Sequence, residues 1–441
     1  MTRLPLVLFV GIFLGSCSDS TGRVDAVSVT DTSGDADATG TALGGLSQEL
    51  DPEEFALGGP IPGLTQAELS AFYRGQKVFN HRFKPSEGVG PLYNATSCAS
   101  CHSHPVPGGS APLYRNFDIS VLDFGVLQTP LTGLPSVVVP SFGGGPHLSA
   151  TFGLEEERTE IPAAVSGGTV VSAQRNAIPI FGTGLFEFIS DATIMSNTDP
   201  DDADADGISG RFNVDVGSSS MPIGRFGVKS QSNNIEFFTR GPLQNQMGVT
   251  SDPFLGSAGI ASLCAKMMPQ AGSNADEPFF DNDGVSDPEI SRQDLGDLIA
   301  FTRFLAPPRP KPFNASATAG QGLFTSLGCV KCHIPQLPSS RGPVRAYTDL
   351  LLHDMGPGLA DGLHFGSPQA STISNQFTVD EFRTQPLWGV SLHAPFLHDG
   401  RAETLDEAIL EHGGEAQAIR DAYDALTQSE KDDIIAFLEH L

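Results

Sequence analysis

The chain has 441 residues, with 52 Asp and Glu against 25 Lys and Arg and a formal net charge of -27. Such a surface repels nucleic acid and anionic membranes, so neither is an expected partner. With 39% hydrophobic and 17% charged residues, 49 Gly and 33 Pro, it describes a loop-rich globular protein with room for two or three domains.

Residues 1–17 read as an export signal. Arg3 opens it, and the apolar run Leu4–Leu14 is too short to span a bilayer. Leu14-Gly15-Ser16-Cys17 resembles the bacterial lipobox, which makes Cys17 a lipidation site. An ordinary signal peptide with a chance Cys is the alternative. Either way the chain is expected to be exported: periplasmic with a lipid anchor in the outer membrane, otherwise secreted or in the cell envelope. A membrane is then touched only through the anchor. Residues 18–50 are rich in Asp, Ser, Thr, Gly and Ala, cannot bury enough surface to fold, and read as an acidic tether.

Thr65-Gln-Ala-Glu68 is a capping box, and Leu69, Phe72, Tyr73 and Phe79 follow near helical spacing. A Gly-rich loop then presents Cys98-Ala-Ser-Cys101-His102. Two thiols separated by two residues, with His directly after, form the attachment sequence of a c-type haem. The thiols close thioethers on the porphyrin, and the His is the iron's proximal ligand. The same pattern recurs at Cys329-Val-Lys-Cys332-His333. A zinc knuckle needs further ligands beside each pair, and a redox dithiol does not require His in both copies. The cofactor expectation is therefore two covalently bound haem c groups. The two remaining cysteines are Cys17 and Cys264, which leaves no pair for a disulfide in the body of the protein.

Between the motifs, residues 110–175 alternate short apolar runs with Gly and Pro and read as loops with short strands around 117–121, 137–139 and 169–171. His147 in this stretch is a possible sixth ligand or a surface residue. Glu187 interrupts an apolar run; it is a candidate proton donor, or a Glu bonded to backbone amides. Asp202, Asp204 and Asp206, with Gly207, resemble the first half of a calcium loop, and Asp281–Gly284 is a weaker echo; a solvated acidic turn is the alternative. Ser291–Leu305 reads as a helix stopped by Pro307-Pro308, and the run to Pro312 as a domain boundary.

A helix at about 317–327 leads into the second haem motif. Thr404-Leu-Asp-Glu407 and Thr427-Gln-Ser-Glu430 are two more capping boxes. Leu405, Ala408, Ile409 and His412 share one helical stripe, which puts His412 on the buried side. The expected fold is mainly α, with irregular loops and a few short strands, in two cytochrome c-like haem domains: 51–309 and 310–441.

The stretches Asn94–His102, Gly224-Arg-Phe-Gly227, Arg383-Thr384-Gln-Pro386-Leu-Trp388, Phe396–Arg401 and His412-Gly-Gly-Glu-Ala416 resemble the dihaem oxidoreductase family. Its members are labelled thiol oxidoreductases or peroxidases, and it is similar in turn to the bacterial dihaem cytochrome c peroxidases. The resemblance spans roughly 50–441. It implies a reactive N-terminal haem and a C-terminal haem where electrons enter. It places His412 as sixth ligand of the C-terminal iron, with Met355 the runner-up, and a calcium ion between the domains at Asn176, Thr384 and Pro386. The relay Trp of the peroxidases matches Val228 here, and Gln246 stands where they have a distal glutamate. Glu187 and Gln246 are the catalytic candidates. Expected partners are a small redox protein or quinol-derived electron donor, and peroxide or another small oxidant. The rival reading is a non-enzymatic electron-transfer dihaem cytochrome. Thiol chemistry at Cys264 is a third reading, against which a buried structural Cys weighs more.

Overall fold

The computed structural model describes residues 49–89, 95–111, 115–123, 126–128, 164–165, 168–215, 222–251, 254–255, 261–262, 285–360 and 379–441. Cys17, His147, Cys264 and the Asp281–Gly284 turn lie outside them. All described residues fall in one compact unit, Gly44–Leu441. The fold is mostly helical, with irregular loops and a few short strands. Among the described residues no helix is long and apolar enough to cross a membrane.

The helices are α1 Gln66–Asn80, α2 Asp191–Met195, α3 Ile235–Met247, α4 Arg292–Phe304, α5 Ala315–Leu327, α6 Leu405–Leu410, α7 Gln417–Asp424 and α8 Gln428–Leu438. The three capping boxes at Thr65, Thr404 and Thr427 form, each hydroxyl accepting from the N3 amide while the N3 Glu reaches back. Ser291 and Asn314 cap α4 and α5 through their side-chain oxygens.

One helix pairing occurs twice. Before the first haem motif, α1 crosses α4 at Gly75, where a Cβ would lie 1.8 Å from the Asp297 carbonyl oxygen. One turn further, Phe79 packs on Phe301 with ring centroids 4.8 Å apart. Before the second motif, α5 crosses α8 at Gly320, where a Cβ would lie 1.9 Å from the Asp433 carbonyl oxygen. One turn further, Phe324 packs on Phe437 at 5.2 Å. Each crossing needs glycine because the backbones touch. The bidentate bond of Arg74 to the buried Asp297 closes the first crossing (2.7 and 2.8 Å). Tyr73, expected on the apolar face, is 50% exposed; Gly75 carries the contact instead.

β1 Arg115–Asp123, β2 Val126–Gln128, β3 Ala164–Val165 and β4 Gly168–Asn176 form an antiparallel sheet in the order β2-β1-β4-β3. It covers two of the three runs read as strands; 137–139 lies outside the described residues. β5 Phe254–Leu255 pairs with β6 Ala261–Ser262, and β7 Leu352–Asp354 with β8 Glu381–Arg383, all antiparallel. Pro307 and Pro308, read as a boundary, are buried. Pro307 closes on Gly182 beside Trp388, and Trp388 stacks on Phe186 at 5.6 Å and 11°. Burial there costs no amide, because proline has none.

Candidate functional site

At the second motif a helix ends directly before the two cysteines and the histidine. Gly328, at φ 98°, ends α5 in a left-handed turn that a side chain would strain. The next residues wind into a single 3-10 turn, Cys329–Lys331, and the His333 amide donates to Cys329 O (3.0 Å). Cys329, Cys332 and His333 therefore face one cavity of about 1550 Å³, its open mouth included. Phe324 and Val390 of the C-terminal core line it, as do Leu405, Ala408, Ile409 and His412. The apolar stripe of α6 is thus a cavity wall; the helix stops at Leu410, so His412 lies past its end, half-buried, rather than on the stripe where its spacing put it, and lines the cavity from there.

The two ring nitrogens of each histidine are sorted by backbone bonds. His333 Nδ1 lies 2.9 Å from Tyr347 O, and His412 Nδ1 lies 2.8 Å from Ala408 O. A carbonyl only accepts, so each Nδ1 carries the hydrogen and Nε2 keeps its lone pair. Burial pushes the His333 ring down to about 4 and lowers His412 as well, which favours the neutral form of each.

The first motif repeats the arrangement. Cys98–Ser100 is a 3-10 turn capped by Ser97, and the His102 amide donates to Cys98 O (3.0 Å). His102 Nδ1 lies 2.9 Å from Gly109 O. Burial lowers this ring too. The rings of His102 and Phe79 lie 6.5 Å apart, those of His333 and Phe324 6.2 Å. Sequence reasoning did not find the carbonyls of Gly109 and Tyr347, because backbone acceptors leave no residue-type signal.

The thiols are free of disulfides. Burial pushes Cys98 up to about 12 and Cys329 to about 11, the reverse of an activated redox thiol. Among the described residues, the one group of three or more His, Cys, Asp or Glu able to share an ion is Asp199, Asp202 and Asp204. No cysteine belongs to it.

That acidic group differs from the expected trio in one member. Asp199 replaces Asp206, whose carboxylate is held by Lys331 at 2.9 Å and has its pKa lowered by that bond. The loop is also tied to the stretch after His412: Glu415 accepts from the Ser209 amide (3.0 Å) and its hydroxyl.

Both carboxylate oxygens of Glu187 are engaged. Its Oε2 takes Arg303 Nε at 2.7 Å, and its Oε1 takes the Ile235 amide at 2.8 Å, capping α3. The backbone-bonded alternative holds for Glu187. The main-chain carbonyl of Gln246, near the end of α3, accepts the Ala95 amide at 3.3 Å, close to the first motif. Met355 lines the cavity with His412.

Asn176, Thr384 and Pro386 also line it. Asn176 Nδ2 donates to Pro395 O at 2.6 Å, while its buried Oδ1 accepts nothing. The Thr384 carbonyl accepts from Thr348 Oγ at 2.6 Å. Two features were not foreseen. His353, 3% exposed, is bonded through Nε2 to Asp349 (2.8 Å) and through Nδ1 to Glu415 (2.9 Å). Burial opposes its charge, yet the Asp349 carboxylate keeps its pKa well above the usual imidazole range. Burial would raise Glu415, but the His353 and Ser209 bonds outweigh it and hold Glu415 at about 2. The second feature is Arg383, also in the wall.

A family model described as "Di-haem oxidoreductase, putative peroxidase" matches residues 156–441. The chain belongs to the di-haem oxidoreductase family. Membership of the di-haem oxidoreductases implies two haems, and the donor sets fit them: two thiols, an Nε2 lone pair and an apolar cavity in one case, two thiols and an Nε2 lone pair in the other. No curated protein matches the chain. Among solved structures, hydrazine synthase of Kuenenia stuttgartiensis is 17% identical with a TM-score of 0.36, the match covering 95% of this chain and 100% of that one. The diheme peroxidase BthA from Burkholderia thailandensis is 18% identical with a TM-score of 0.39, covering 89% of each chain. A MauG-like protein associated with microbial copper homeostasis is 21% identical with a TM-score of 0.25, covering 37% of this chain and 66% of that one.

Proposed function

We propose that this di-haem oxidoreductase is an exported, peroxidase-type c-type cytochrome. Cys329 and Cys332 hold one haem through thioethers, with His333 and His412 at its iron. Cys98 and Cys101 hold the other, with His102 as proximal ligand. When bound, haem supplies one-electron exchange at iron and, on an unligated face, a seat for peroxide. The observation that carries this is the cavity in which His333 and His412 each keep Nε2 for a metal while Nδ1 is fixed to a carbonyl. Its residues hold the rings neutral, fix their tautomers and exclude water.

In this reading the C-terminal site is saturated and receives electrons, and the N-terminal site is the reactive end. Gln246, beside the first motif, positions peroxide by hydrogen bonding; an amide cannot exchange protons as an acid. Asn176, Thr384 and Pro386 hold calcium, which the unpaired Asn176 Oδ1 suits as a hard oxygen. Cys17 carries the lipid that keeps the protein in the periplasm at the outer membrane. A small redox protein or a quinol-derived donor supplies the electrons.

The engagement of Glu187 by Arg303 and Ile235 favours a second reading, an electron-transfer cytochrome without peroxide chemistry. Carbon monoxide added to the reduced protein, and cyanide to the oxidised one, decide between them. Binding at one haem of two supports the enzyme. Binding at neither supports the carrier.

A further inference from the structure

Arg383 ends β8, inside the wall of the second cavity. It is 7% exposed. Its amide donates to Val228 O (2.8 Å), and its Nε to Gly227 O (2.9 Å). Its Nη2 donates to Gln385 Oε1 (2.7 Å). The last carbonyl of the Gly224–Gly227 stretch and the one that follows it, Val228 O, thus both accept from one arginine. Nη1 remains, buried and without a hydrogen-bond partner among the described residues. Asp349 is the carboxylate whose field reaches Arg383, but its oxygens are taken by His353 (2.8 Å) and by the Leu351 amide (2.9 Å).

A guanidinium carries only donors, and leaving a charged one buried and half-satisfied is costly. The matching group is a carboxylate, which guanidinium binds with a strong, charge-assisted bond. The cavity that Arg383 lines is where such a group can reach it. We infer that Arg383 Nη1 anchors a carboxylate side arm of the group in this cavity, a propionate of the second haem, and that its charge raises that haem's potential. The inference rests on the haem reading proposed above. A fixed cation beside the porphyrin favours the reduced iron, which carries one positive charge fewer.

The test is a spectroelectrochemical titration of the dihaem protein and two variants, with resonance Raman spectra of the propionate bending band. In Arg383→Gln the midpoint of the low-spin His333/His412 haem shifts down, while the other haem keeps its value. Arg383→Lys, which retains the charge, recovers most of the shift. In the unaltered protein the bending band shows a hydrogen-bonded propionate. Unchanged midpoints in Arg383→Gln, or equal shifts of both haems, overturn the inference. If Arg383→Gln fails to mature, a free-propionate band at the second haem of the unaltered protein overturns it instead. Added phosphate or acetate leaves the second haem's spectrum unchanged; a shift would mean an exchangeable anion and would also overturn it. A protein that carries no haem defeats the underlying reading first, so the two failures are separable.

Discussion

His333 and His412 look into the same cavity with the same ring atom presented, because each donates its Nδ1 hydrogen to a main-chain carbonyl, Tyr347 O at 2.9 Å and Ala408 O at 2.8 Å. Two imidazoles fixed in this way suit a six-coordinate iron between them. Replacing His412 by Ala should remove the low-spin signature of one haem and open that iron to carbon monoxide. His412→Met should keep six-coordination and raise that haem's midpoint potential. Optical and EPR spectra check both outcomes. Unchanged spectra in His412→Ala would shift the assignment to Met355.

The His353–Glu415 pair predicts an acid-sensitive clasp. Glu415 is held at about 2 against an ordinary 4.5, so its contribution is complete above pH 4.5 and drains away as pH falls toward 2. His353, raised above 6.5, contributes fully below pH 6.5 and loses its contribution only as pH climbs through its raised value. Glu415→Gln should cost about 3 kcal/mol at neutral pH, the scale for breaking a buried ion pair. It should also flatten the acid limb of the stability curve. Thermal melts across pH check it; an unaltered acid limb would assign that limb to other carboxylates.

Gly320→Ala tests the helix crossing beneath the second haem. The new methyl would meet the Asp433 carbonyl 1.9 Å away. Overpacking of this kind costs about 1–3 kcal/mol or more. The melting temperature should fall and retention of the second haem should suffer before that of the first. A variant as stable as the parent would mean that the two helices part easily.

Much of this was legible in local sequence. The two Cys-x-x-Cys-His pentapeptides, the three capping boxes and the apolar stripe Leu405–Ile409 are short-range patterns, and the structure winds a turn or a helix at each; His412 falls beyond that helix. What was not legible depends on partners far apart in the chain. Arg383 reaches Gly227 across 156 positions. Glu187 looked like an isolated acid in an apolar run because Arg303 lies 116 positions away. Asp206 matched a calcium-loop pattern, but Lys331 claims it. Tyr73 fitted the helical stripe; the crossing at Gly75 turned the contact face aside.

Glu187→Gln follows from the same geometry. With its carboxylate serving α3 and Arg303, the substitution should lower stability by about 1 kcal/mol, the scale of a lost helix cap. Peroxide reduction, where present, should change by less than about tenfold, well short of the 100-fold or more expected on removing a general acid. Stopped-flow traces with peroxide check it. A loss of 100-fold or more would restore Glu187 as the proton donor.

The most direct measurement is the intact mass of the denatured protein, expressed with a c-type maturation system, alongside Cys98→Ala/Cys101→Ala and Cys329→Ala/Cys332→Ala. The account predicts two haems per chain that survive denaturation, and one in each double variant. A denatured chain whose mass includes no haem would contradict it.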